Sequence, residues 1–150
     1  MSDTVKIGIV GAGAITQVAH LPVLRKLKGV QVVALCDSDL AKARALSQRF
    51  GIRDAFVDIE ELLEYEALDA VAICTPNHLH EPHAVAALGA GLHVFVARPL
   101  AVTLAGAQRI AKQADKRGRI VAVGMNHRYR TDVQIVRSFI QSGELGRLES

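Results

Sequence analysis

The sequence predicts an α/β protein, a doubly wound parallel sheet covered by helices on both faces in three layers. Three observations carry this expectation. Short apolar runs alternate with helix-periodic segments along the chain, the pattern of strands buried on both faces and joined by crossover helices. A glycine turn, Gly11-Ala12-Gly13, links the first apolar run to the first helical segment, and an acid, Asp37, closes the second apolar run.

The first strand is the run Val5–Val10, and the segment after the glycine turn keeps a helical period to about Leu27. The second strand is Val32–Cys36, followed by a helix from about Asp39 to Phe50 that Gly51 stops. A short strand at Ala55–Val57 precedes a helix with Ile59, Leu62 and Leu63 on one face, with Asp54 or Asp58 as local caps. The fourth strand, Ala70–Cys74, breaks at Thr75-Pro76-Asn77; the next helix carries Val85, Ala86, Leu88 and Ala90 up to Gly91. His93–Val96 is the fifth strand. Thr103 caps a helix ending at Gly118, Ile120–Val123 is the sixth strand, and a last amphipathic helix holds Val133, Val136, Phe139 and Ile140 before Gly143. Six strands with right-handed crossovers fit the order 3-2-1-4-5-6.

Composition limits the function classes. A chain of 150 residues is read as one domain, able to bury roughly 70% of its unfolded surface. Half of it is hydrophobic and 22% charged, as in ordinary globular proteins. The net charge of +3 is spread along helices without aromatic interleaving, which reads as a solvated surface rather than a nucleic-acid face. No long apolar span occurs, and Met1-Ser2-Asp3-Thr4-Val5-Lys6 lacks the layout of a signal peptide, so a cytoplasmic protein is expected. The two cysteines, Cys36 and Cys74, end strands that flank the first, about 10 Å apart, too far to bridge. They are read as buried free thiols.

The glycine turn carries the chemistry. Gly11 permits a tight strand-to-helix turn and Gly13 lets a pyrophosphate approach the N–H groups at the positive end of a helix, with Ala14 and Ile15 opening that helix. Asp37, about 20 residues on, stands where such folds place an acid for the adenosine ribose hydroxyls. Helix capping is its alternative role, although Ser38 and Asp39 are also good cappers. This is the layout of a Rossmann dinucleotide-binding domain, whose ligand lies across the carboxyl ends of the strands where the strand order reverses. Polar residues gather on that rim: Thr75-Pro76-Asn77-His78-Leu79-His80, Ala97-Arg98-Pro99 and Met125-Asn126-His127-Arg128.

With these motifs in this order, the chain resembles the Gfo/Idh/MocA oxidoreductases. The resemblance rests on Ile7-Gly8-Ile9-Val10-Gly11-Ala12-Gly13, Cys36-Asp37, Asp69-Ala70-Val71 running into Thr75–His80, Arg98-Pro99-Leu100, and Gly124–Arg128. It implies an NAD(P)-binding Rossmann domain with Gly11 and Gly13 under the pyrophosphate, Asp37 on the adenosine ribose, and Thr75, Pro76, Asn77 and His80 along the cofactor. It also implies a cis Arg98–Pro99 bond. In such enzymes a second α/β domain follows and supplies the substrate pocket and a catalytic His. Here the chain stops near Gly146-Arg147-Leu148, so residues 1–150 are read as the cofactor domain without that partner domain.

Two departures from the family pattern stand out. Its Glu-Lys-Pro motif is Ala97-Arg98-Pro99, so Arg98 takes the position of the catalytic lysine but keeps its proton at working pH. Thr16 fills the third glycine position, where its methyl is expected to loosen or shift the helix. Asn126, with His127 and Arg128, is read either as a cofactor or substrate contact or as a loop polar group. Cys74, His78, His80 and His83 match none of the usual structural zinc patterns, so no metal is expected; His20 and His93 are read as ordinary helix and strand residues.

The reading is an NAD-binding half-enzyme of a sugar or polyol dehydrogenase, preferring NAD to NADP because Asp37 repels a 2′-phosphate and Ser38 offers no cation. The alternatives are a Rossmann scaffold with weak or no cofactor binding, or another nucleotide ligand such as S-adenosylmethionine. A homodimer is expected through the last helix, with Leu145 and Leu148.

Overall fold

The computed structural model describes residues 4–65, 68–147 and 149. Six strands form one parallel sheet in the order β3-β2-β1-β4-β5-β6, as the alternation of periods predicts. They are β1 (Val5–Val10), β2 (Val30–Cys36), β3 (Asp54–Phe56), β4 (Ala70–Ile73), β5 (His93–Val96) and β6 (Val121–Val123). Register places Val10 opposite both Cys36 of β2 and Ile73 of β4, so the chain leaves β1 at the centre of the sheet.

Each strand sends alternate residues to opposite faces. Val10, Val71, Ile73, Val94 and Val96 belong to one buried cluster, together with Leu88 and Ile110 from the helices. Ile9, Leu35 and Ala72 belong to the other, with Leu21 and Leu46. Burying each large aliphatic side chain contributes about 1.5–3 kcal/mol, which holds the strand ends in register beneath the rim.

The helices are α1 (Leu21–Leu24), α2 (Leu40–Phe50), α3 (Ile59–Leu63), α4 (His80–Gly89), α5 (Leu104–Arg117) and α6 (Thr131–Ser142). Asp39 caps α2, accepting from Lys42 N at 3.0 Å, and Thr103 caps α5, accepting from Gly106 N at 3.0 Å. Neither Asp54 nor Asp58 caps α3: Asp58 makes no side-chain cap bond, and Asp54 lies in β3 and accepts from the Tyr65 hydroxyl at 2.7 Å. Helix α4 begins at His80, a full turn before the apolar positions that announced it.

The segment before α1 is wound as a π-helix over Thr16–His20. Thr16 is fully buried there and donates its hydroxyl to Gly11 O at 2.6 Å. The polar group that replaces the third glycine is thus satisfied by the turn itself, and the wider winding accommodates it. Helix α6 buries none of its residues; it packs chiefly on the short 3-10 turn Asn126–Tyr129 that precedes it. Leu148 lies outside the described residues. Among the described residues, no helix is long and apolar enough to cross a membrane.

Candidate functional site

Strand β1 ends in the glycine turn. Gly11 has a φ of +101°, and a Cβ there would stand 2.6 Å from Cys74 O, so only glycine lets the turn press against the end of β4. Gly11 N donates to Cys36 O at 2.8 Å, and Cys74 N donates to Val10 O at 2.8 Å, tying the turn to both flanking strands. Gly13 is different: nothing lies within 4 Å of where its Cβ would be. That open space lies at the start of a helix whose first N–H groups have no intrahelical acceptor, which suits an anionic ligand.

Asp37 is tied to this turn. Its Oδ2 accepts from Ala12 N at 2.7 Å, and its Oδ1 accepts from Asp39 N at 3.0 Å and pairs with Lys42 Nζ at 2.9 Å. Burial works to raise the carboxyl's pKa. The hydrogen bonds from Lys42, Asp39 and Ala12, with the Lys42 charge, overcome it and hold the group below the ordinary carboxylate range. A carboxylate offers about four lone-pair positions, so these three donors leave one for a ribose hydroxyl, and a second opens if Lys42 swings away. Lys42 is the cation that sequence reading missed.

Three clefts run along the rim. The first, about 630 Å³, is lined by Gly11, Gly13, Asp37, Lys42, Thr75 and Pro76, among others. The second, about 440 Å³, shares Thr75 with it and adds Ile15, His20, Asn77, Arg98 and Asn126. The third, about 450 Å³, shares Arg98 and Asn126 with the second and continues to Arg128 and Arg137. Of the residues expected from sequence to bind the cofactor, Ala14 lines none of these clefts; it is exposed at the helix start.

His80 lines the second cleft from below. It is 1% exposed, and its two ring nitrogens face carbonyl oxygens, Nε2 to Thr75 O at 2.8 Å and Nδ1 to Pro99 O at 2.6 Å. It therefore joins the loop after β4 to the loop after β5. The Arg98–Pro99 peptide is cis. Thr75 Oγ1 lies 3.3 Å from His83 Nδ1, a contact that the spacing of the histidines did not announce. His20, read from sequence as an ordinary helix residue, sits in the second cleft with its ring edge-on to Phe95 at 5.7 Å. Burial holds its imidazole below the ordinary range, so it is neutral at neutral pH.

Both cysteines are buried free thiols at the first cleft. Burial first, and for Cys36 the neighbouring carboxylates next, push them up to about 12 for Cys36 and about 11 for Cys74, so neither is a thiolate nucleophile.

A family model described as an oxidoreductase family with an NAD-binding Rossmann fold matches residues 5–125. The chain belongs to the Gfo/Idh/MocA oxidoreductase family. Within it, the chain is 32% identical over 147 residues to D-glucoside 3-dehydrogenase of Escherichia coli K12, covering 98% of this chain and 42% of that protein. It is 36% identical over 146 residues to inositol 2-dehydrogenase of Salmonella typhimurium LT2, covering 96% and 44%. The fold matches the WlbA dehydrogenase from Bordetella pertussis, crystallised with NADH and UDP-GlcNAcA, at a TM-score of 0.91 and 27% identity, covering 96% of this chain and 44% of that one. The chain thus spans less than half the length of these Gfo/Idh/MocA relatives.

Proposed function

We propose that this chain binds NAD(H) across the first two clefts, as the cofactor domain of a dehydrogenase acting on a sugar or polyol hydroxyl. The observation that carries the reading is the Asp37 Oδ2 to Ala12 N bond of 2.7 Å, which fixes the ribose acid directly against the glycine turn. Asp37 holds the adenosine ribose, the open face of Gly13 admits the pyrophosphate, and Thr75, Pro76, Asn77, Arg98 and Asn126 flank the nicotinamide end. Bound nicotinamide supplies hydride acceptance and return. His80 acts without touching it, by holding the two loops that do. Arg98 contributes a fixed positive charge and releases no proton at working pH, so it orients a substrate oxygen rather than deprotonating it. The dehydrogenase names of the D-glucoside and inositol relatives support the substrate class.

Lys42 narrows the expected preference for NAD over NADP. It neutralises part of the repulsion between Asp37 and a 2′-phosphate and is itself a partner for that phosphate. Calorimetric titration should find NADH binding more tightly than NADPH. Lys42→Ala should weaken NADPH by about threefold or more while changing NADH less, within the range of exposed ion pairs. Equal losses for both dinucleotides would remove Lys42 from the 2′ position.

One feature favours a second reading, a scaffold without useful cofactor affinity. Asp37 already takes three protein donors, Ala12 N, Asp39 N and Lys42 Nζ, the pattern of a structural brace. Absence of NADH binding by the folded chain is the result that selects it.

The 150 residues on their own should show negligible turnover. The clefts provide binding and orientation of the nicotinamide end, and the resemblance assigns the catalytic His to a following domain. NAD reduction with inositol or glucose by the purified chain, free of contaminating enzyme, would contradict this.

Helix α6 should also direct association. Val133, Val136, Phe139 and Ile140 are 39%, 53%, 42% and 43% exposed on a helix that packs chiefly on the turn before it. Apolar patches of this kind are buried by self-association, with a twofold dimer the commonest outcome. Light scattering at high protein concentration should give at least a dimer, and Phe139→Glu should return it to monomer. A monomer at every concentration would remove α6 as a seam.

A further inference from the structure

The third cleft carries a charge pattern that dinucleotide binding does not use. It lies between the loop after β5, the turn after β6 and the first turns of α6, and its lining includes Arg98, Arg128 and Arg137 with Asn126 and His127. Among the described residues, no carboxylate lines it. The ion pairs found among the described residues are Lys42–Asp37, Arg53–Asp54, Arg109–Glu81 and Arg130–Asp132, and none of them involves these three arginines. Arg130 makes the contrast clear. It stands in the same stretch, yet its guanidinium is taken by Asp132 through two bonds of 3.1 and 2.7 Å.

Three like charges around one cleft repel each other. The Arg128 guanidinium carbon lies 5.9 Å from the centre of the Tyr129 ring, within cation–π range, and no carboxylate pairs with it among the ion pairs of the described residues. Met125 and Val133 give the cleft an apolar wall suited to a carbon skeleton. The glycine turn that suits the pyrophosphate lines the first cleft instead, and the third cleft meets the second only through Arg98 and Asn126. A ligand in the third cleft is therefore positioned beyond the nicotinamide end, where a substrate belongs.

We propose that this cleft takes the anionic group of the substrate, a phosphate or carboxylate carried on a sugar or polyol, on the forked guanidinium donors of Arg98, Arg128 and Arg137. Guanidinium pairs the two or three oxygens of such a group with parallel N–H bonds, which a neutral hydroxyl cannot match. The assignment rests on the reading of the neighbouring clefts as the NAD(H) site, because that reading puts the reacting carbon next to Arg98 and Asn126. Selectivity for an anionic over a neutral sugar follows, and so does weakening by salt, since these side chains are exposed.

The test uses the 150-residue chain saturated with NADH and followed by two-dimensional NMR, with glucose 6-phosphate, glucuronate and glucose as separate probes. The expected result is movement of the resonances of Arg98, Asn126, Arg128, Val133 and Arg137 with the two anionic sugars and not with glucose, reversed by added potassium chloride. The stronger of the two anions identifies phosphate or carboxylate as the group recognised. Arg137→Gln should weaken that binding by about fivefold and leave NADH binding unchanged, and Arg128→Gln provides an independent second variant. Equal response to glucose, or no response in a chain that does bind NADH, overturns the assignment. Anion binding in a chain that fails to bind NADH supports the anion site itself and counts against the NAD(H) reading.

Discussion

Gly13→Ala should leave the fold intact and lower NADH affinity by at least about tenfold, whereas Gly11→Ala should damage the fold itself. The two glycines are two residues apart and look equivalent in the motif, yet their surroundings are opposite. A methyl on Gly13 meets nothing within 4 Å, so the free chain tolerates it. Its stability should stay level or rise by about 0.5 kcal/mol through the less flexible unfolded chain. In the proposed binding mode the methyl instead fills space that the pyrophosphate needs. A methyl on Gly11 meets Cys74 O at 2.6 Å and Cys74 C at 2.8 Å, on a backbone whose φ of +101° already disfavours a side chain. Strain and overpacking together cost about 3 kcal/mol or more, a drop in melting temperature on the order of 10 °C. Thermal melts and NADH titration of the two variants separate the effects; a stable Gly11→Ala or a tightly binding Gly13→Ala would contradict this division.

Asp37 should give the other large effect. Asp37→Asn keeps the shape and can still accept from Ala12 N but removes the charge that strengthens a bond from a ribose hydroxyl. Loss of such charge-assisted bonds is worth about 1.5–3 kcal/mol, so NADH affinity should fall by about ten- to a hundredfold with modest change in stability. Asp37→Ala should also destabilise the chain, since Ala12 N and Asp39 N both lose their acceptor. The carboxyl's pKa is held below its unfolded value, so its contribution to stability is present above the ordinary carboxylate range. That contribution is lost as pH falls through the lower folded value. Acid unfolding monitored by circular dichroism should therefore begin at higher pH in Asp37→Ala than in the parent; coincident curves would show that the group carries no such linkage.

Much of this was legible from the chain because a buried parallel sheet writes itself as apolar runs separated by helical periods, and the glycine turn marks where the sheet reverses. Strand ends shifted by one or two residues, as at β2 and β3, because the last pairings depend on neighbours and not on local pattern. The site was less legible where a helix or a distant loop brings a residue back. Lys42 returns to Asp37 through the first turn of α2. A cation in a helix's first turn opposes the helix dipole, and that unfavourable placement was the available signal. Arg137 was hidden because only the apolar stripe of the last helix was read. The burial of His80 depends on carbonyls at Thr75 and Pro99, in two separate loops, which no local motif reports. His20 looked ordinary because its neighbours in the cleft, Arg98 and Asn126, are distant in sequence.

The most direct measurement is calorimetric titration of the folded 150-residue chain with NADH, run in parallel with Gly13→Ala. Saturable binding of one NADH per chain, greatly weakened in Gly13→Ala while both proteins melt alike, is the result predicted for a dinucleotide site at this turn. A folded parent chain that takes up no NADH, or a Gly13→Ala chain that binds it equally well, would contradict it.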